Sequence, residues 1–76
     1  MREKIENILN ELIPGVDLEC KTLVESGYID SLALINIISE LDIEFDIEIV
    51  FADLEVSNFN SVDAILALVE KKIKSK

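Results

Sequence analysis

The chain has 76 residues, 16 acidic and 7 basic, no histidine, and a formal net charge of −9. That length holds one domain, residues 1–76, with a small core. The acidity disfavours nucleic acids and anionic membranes, which bind through cationic side chains. The missing histidine removes Ser–His and Cys–His nucleophilic sites and histidine-ligated metals.

Half the residues are apolar, as in a folded globule, and two glycines and one proline punctuate too sparsely for a many-turned β fold. Between Thr22 and Glu70 there is no lysine or arginine. The middle of the chain therefore presents an acidic surface that favours protein partners with basic patches. Cys20 is the single cysteine, so no internal disulfide forms, and it reads as a partly buried apolar filler with only Lys21 as a nearby cation. No apolar stretch reaches the ~20 residues of a membrane span, and no segment resembles a signal peptide. A monomeric, cytoplasmic protein is the simplest expectation.

In chain order, Ile5, Ile8, Leu9, Leu12 and Ile13 recur at helical spacing, which predicts an amphipathic helix over Arg2–Ile13 stopped by Pro14-Gly15. Val16–Ile29 reads as a long connection into which Leu23 and Val24 tuck, with Gly27 as a turn residue. Asp30 is a candidate N-cap for a second helix, Ser31 to about Asp42. Its inward stripe reads as Ile35, Ile38 and Leu41, with Ile37 a further candidate. Leu32, Ala33 and Leu34 cannot all share one buried face, and at least one of Leu34 and Ile37 is left for a partner.

Leu41–Ile49 alternates like a half-buried strand, but no matching strand exists to pair with it. The segment therefore reads as the helix end running into an extended loop. A short helix is expected around Phe51–Leu54, and a loop over Ser57–Asn60. Asn60 or Ser61 then caps a last helix, Val62–Lys74, with Val62, Ile65, Leu66, Val69 and Ile73 inward. The acidic run Asp42, Glu44, Asp46, Glu48 does not fit a calcium loop: counting from Asp42, Ile47 and Asp53 stand where glycine and glutamate are needed.

Gly27-Tyr28-Ile29-Asp30-Ser31-Leu32 lies at a loop-to-helix junction. At such a start, backbone N–H groups lack partners and the helix dipole favours an anion, so a phosphodiester on Ser31 would be stabilised. With no histidine or lysine adjacent in sequence to activate it, Ser31 reads as a residue modified by another enzyme. Tyr28 either packs under the loop or lines the path of a bound group.

The Asp-Ser-Leu turn resembles the phosphopantetheine attachment site of the carrier protein family, which includes acyl carrier and peptidyl carrier proteins. Phe45-Asp46-Ile47-Glu48-Ile49 is similar to a Phe-Asp-x-Glu-Ile found at that distance from the serine in acyl carrier proteins. Asn58–Ile65 looks like the entry to the family's last helix. The resemblance covers nearly the whole chain and is most specific over Gly27–Ile49.

It implies an all-α, four-helix carrier bundle with a long first loop and a short third helix. It implies a 4′-phosphopantetheine arm on Ser31, donated from coenzyme A by a phosphopantetheinyl transferase, with Asp30 supporting the modification. The arm would hold an acyl or aminoacyl group as a thioester for a loading ligase and downstream transferases. The start of helix two, Leu32, Ala33, Leu34 and Ile35, would face partners. Fatty-acid carriers typically place acidic residues where this chain has Ala33, Asn36 and Ile43. The Gly-Tyr-Ile-Asp-Ser turn is closer to those of D-alanyl and some biosynthetic carriers. A competing reading is an acidic helical interaction module without a prosthetic group.

Overall fold

Side-chain caps at Asp30 and Ser61 and apolar residues at helical spacing build most of the architecture. A computed structural model describes residues 1–75 as all-helical, with no strand among them. Its helices are α1 (Arg2–Leu12), α2 (Ser31–Phe45), α3 (Val56–Phe59) and α4 (Val62–Lys74), with a 3-10 turn at Phe51–Asp53. α1 packs on α2 and α4, and α3 packs on α4. None of these helices is long and apolar enough to cross a membrane.

α1 buries Ile5, Ile8 and Leu9, while Leu12 and Ile13 are partly covered. Gly15 adopts φ +84°, a conformation that a side chain would strain, and turns the chain into the long connection. Val16, Leu23 and Ile29 drop into the core, so this connection is anchored at three points. α4 starts at Ser61, whose Oγ accepts from the Ala64 N–H at 3.0 Å. Lys71, Lys72 and Lys74 lie in its last turn, complementing the dipole. It buries Val62, Ile65, Leu68 and Val69. Leu68 takes a place the periodicity assigned to Leu66, which is only partly buried.

α2 departs from its expected stripe. Ile37 and Leu41 are buried, with Leu34, Ile38 and Phe45 packed beside them. Ile35, expected inward, is 61% exposed. Leu34, Ile37, Ile38 and Leu41 form an i, i+3, i+4, i+7 ridge, and Ile35 falls outside it. The helix is apolar on two faces, so packing against α1 and α4 decides which face is covered.

The alternation over Leu41–Ile49 is divided between the last turn of α2, through Phe45, and an extended exit over residues 47–49. α2 runs three residues beyond Asp42 and closes at Asp46, in the left-handed region at φ 53°. Asp42 then organises the exit: its carbonyl accepts from the Ile47 N–H at 3.2 Å and its Oδ1 from the Ile49 N–H at 3.1 Å. Ile47 and Ile49 point into the core and Glu48 to solvent, so burial alternates over this exit, whereas Ile43, on α2, is 78% exposed. Ser57–Asn60 is not a loop as expected. Its first three residues belong to the single turn of α3, which seats Phe59 in the core at 1% exposure.

Candidate functional site

Ser31 is the first residue of α2 and is exposed. Asp30, in extended backbone, caps the helix: its Oδ1 accepts from the Ala33 N–H at 2.8 Å. Its carbonyl accepts from the Leu34 N–H at 2.9 Å, the first bond of the helical ladder. Helix geometry leaves the N–H groups of Ser31 and Leu32 without intrahelical acceptors. The side chain of Ser31 thus stands at the positive end of the α2 dipole with unclaimed donors beside it.

The junction is held from both sides. Ile29, two residues before Ser31, is buried, and its N–H donates to the Leu23 carbonyl at 3.0 Å. Gly27 takes φ +92°, which lets the chain turn between these anchors. Asn60, at the corner between α3 and α4, clamps the same turn. Its carbonyl accepts from the Leu23 N–H at 2.8 Å, and its Oδ1 accepts from the Val24 N–H at 3.0 Å and the Glu25 N–H at 3.4 Å. Its Nδ2 donates to Glu25 Oε1 at 2.9 Å.

The choice between Asn60 and Ser61 as cap is thereby settled for Ser61, and Asn60 serves as a strut beneath the Ser31 junction. Asparagine at a helix corner was a visible signal for hydrogen bonding to backbone, but its target lies about 36 residues away in sequence. Asn60→Ala should cost about 1–3 kcal/mol, because it strands the part-buried Val24 N–H. Urea unfolding with hydrogen exchange checks this: amides of residues 23–29 should lose protection first. Unchanged protection there would remove Asn60 from this role.

Of the four residues expected to face partners, Leu32 and Ile35 stand clear of the core at 69% and 61% exposure. Ala33 and Leu34 are half-buried and pack against the core. With Ile43, also exposed, Leu32 and Ile35 make a surface that starts beside Ser31 and carries on down α2. Positions 32, 35, 39 and 43 share the outward face, and none of them is charged. Tyr28 is exposed rather than packed under the loop.

Comparison with protein-family models, curated proteins and solved structures returns no match.

Cys20 lies in the long connection, half-buried. Its Sγ is 3.5 Å from Thr22 Oγ1 and 3.6 Å from Ser26 Oγ, and it accepts from the Thr22 N–H at 3.4 Å. The Thr22 hydroxyl, then the Thr22 N–H, and then Ser26 pull the thiol below its ordinary value. Hydrogen bonds thus lower this thiol where no neighbouring cation does.

Proposed function

We propose that this chain is a discrete, non-catalytic carrier of acyl or aminoacyl groups, held as thioesters on a 4′-phosphopantetheine arm attached at Ser31. The observation that carries this reading is an exposed serine at the first position of a helix, capped by the aspartate before it, on a junction pinned to the core. The residues present suit the group. Ser31 Oγ is accessible to a second protein, and the α2 start offers N–H donors and a favourable dipole to a phosphodiester. Bound there, the arm supplies a thiol for the cargo.

In the attachment, Ser31 Oγ bonds to phosphorus as the phosphoanhydride of coenzyme A breaks and adenosine 3′,5′-bisphosphate leaves. The hydroxyl proton passes to a base on the phosphopantetheinyl transferase, while the adjacent Asp30 carboxylate accepts from the Ala33 N–H. Asp30 holds the α2 start in place through one carboxylate oxygen and supports the transferase. Leu32 and Ile35 favour partners that read α2 by apolar contact, such as an adenylating ligase, over those that read an acidic helix as in fatty-acid synthesis. The resemblance of Gly27–Ile49 to the carrier family, four helices with a short third one, and the acidic surface between Thr22 and Glu70 all support the same reading. A cytoplasmic setting, where coenzyme A is available and thiols stay reduced, fits this reading.

Intact-mass measurement after incubation with coenzyme A, magnesium and a promiscuous transferase tests it. The wild type should gain one phosphopantetheine and Ser31→Ala none. If neither gains mass while a known carrier in the same tube does, the carrier reading fails. The acidic interaction module would then take its place.

A further inference from the structure

The most exposed large apolar side chain in the protein is Phe51, at 89%. Val50, Leu54 and Val56 around it are also exposed. Apolar residues on a mobile loop would mean little, but this turn is pinned. Asp53 Oδ2 accepts from the Val50 N–H at 2.9 Å, and the Asp53 N–H donates to the Val50 carbonyl at 2.9 Å. The Leu54 N–H donates to the Phe51 carbonyl at 3.0 Å, and Asn58 Nδ2 to the Asp53 carbonyl at 2.8 Å. Lys72 of α4 ion-pairs with Asp53 from below. The phenyl ring is therefore presented on a pinned backbone knuckle, and the ordering cost of binding is confined to the ring's own rotamers.

The knuckle is remote from Ser31. Ile49, two residues before Phe51, is held by Asp42, and α2 rises about 16 Å between Ser31 and Asp42. Charge then narrows what can cover the ring. Asp46, Glu48 and Glu55 are exposed in the same stretch, and the nearest cation, Lys72, is paired with Asp53. A second copy of this chain would bring like charges together, and a nucleic acid or anionic membrane would meet the same repulsion.

We propose that Phe51 is the anchor of a protein-docking site, separate from the Ser31 end of α2, whose partner offers an apolar socket rimmed by arginine and lysine. Aromatic anchors seated in desolvated pockets dominate interface energies, and a cationic rim would complement the acidic flanks. The site does not depend on modification of Ser31.

The test places a photoreactive benzoylphenylalanine at position 51 of the full chain, in cells that express it, and identifies the cross-linked protein by mass spectrometry. That protein is then purified and titrated calorimetrically with the wild type, Phe51→Ala, Phe51→Leu and Ser31→Ala. The expected result is a Kd raised about tenfold or more by Phe51→Ala, less by Phe51→Leu, and not at all by Ser31→Ala. Wild-type affinity should also fall with rising salt. Both Phe51 variants should melt like the wild type, since the ring contributes almost nothing to the core. The proposal is overturned if position 51 yields no cross-link, or yields one only to a second copy. It is equally overturned if affinity is indifferent to Phe51→Ala, or is lost with Ser31→Ala alone.

Discussion

Phe59→Ala should lower the unfolding free energy by about 3–5 kcal/mol, the usual cost of truncating a fully buried aromatic. At roughly 0.05–0.15 kcal/mol per residue, a chain of 76 residues has about 4–11 kcal/mol in total. One substitution would thus remove a large share of the margin. The reason is positional. Phe59 is the largest of the fully buried side chains and belongs to the same cluster as Leu23, Ile37, Leu41 and Ile65. It comes from a single-turn helix held in place by the hydrogen bonds of Asn58 and Asn60, which limits collapse into the vacated space. Urea unfolding followed by circular dichroism measures the loss. Phe51→Ala is the internal contrast, an aromatic of the same size that is almost wholly solvated. A loss below about 1 kcal/mol for Phe59→Ala would mean that the core does not depend on the α3 turn.

The contrast between these two phenylalanines marks how far the sequence could be read. α1 and α4 were legible because one clean apolar stripe recurs at helical spacing and the caps lie next to it. Asp30 could be picked out as a cap for the same local reason, with Asn60 or Ser61 for α4, and Ser31 then fell at the first helical position. Phe51 and Phe59 both sit in stretches too short for any period to show, and their chemistry is identical, so nothing local separates the exposed ring from the buried one. α2 failed differently. With apolar residues on both faces, its pattern admits two inward stripes that share Ile38 and Leu41, and the choice of Ile37 over Ile35 is made by α1 and α4. Asn60 and Asp53 were invisible because their roles lie in contacts with residues 23–25 and with Lys72, distant in sequence. The candidate site was therefore legible where it is local, at Asp30 and Ser31, and illegible in what holds it in place.

Asp53→Asn should destabilise the protein at neutral pH by about 1–3 kcal/mol, and this deficit should vanish in acid. The Lys72 ammonium, and after it the Val50 N–H, hold the Asp53 carboxyl below its ordinary value of about 3.9. A carboxyl whose folded value is depressed contributes stability at any pH above the unfolded value. That contribution falls as pH drops through the unfolded value and is gone below the folded one. The asparagine variant keeps an oxygen for the Val50 N–H but has no charge for Lys72, so the two proteins should converge only below that range. Burial makes this pair matter. The side chains of Lys72 and Asp53 are 18% and 12% exposed, so removing one partner leaves the other poorly solvated. Arg2 and Asp63 also pair, and Arg2 likewise lowers the Asp63 carboxyl, but those side chains are 47% and 70% exposed and water screens them. Asp63→Asn should therefore cost far less than Asp53→Asn at neutral pH. Urea unfolding of the three proteins from neutral pH down to acid decides between these expectations. A deficit for Asp53→Asn that persists unchanged in acid would assign its effect to packing rather than to the ion pair. The same titration bears on the knuckle, because the Asp53 carboxylate ties Val50 and Lys72 together beneath Phe51. Loss of the charge should loosen the turn that presents the ring before it loosens α1 or α2.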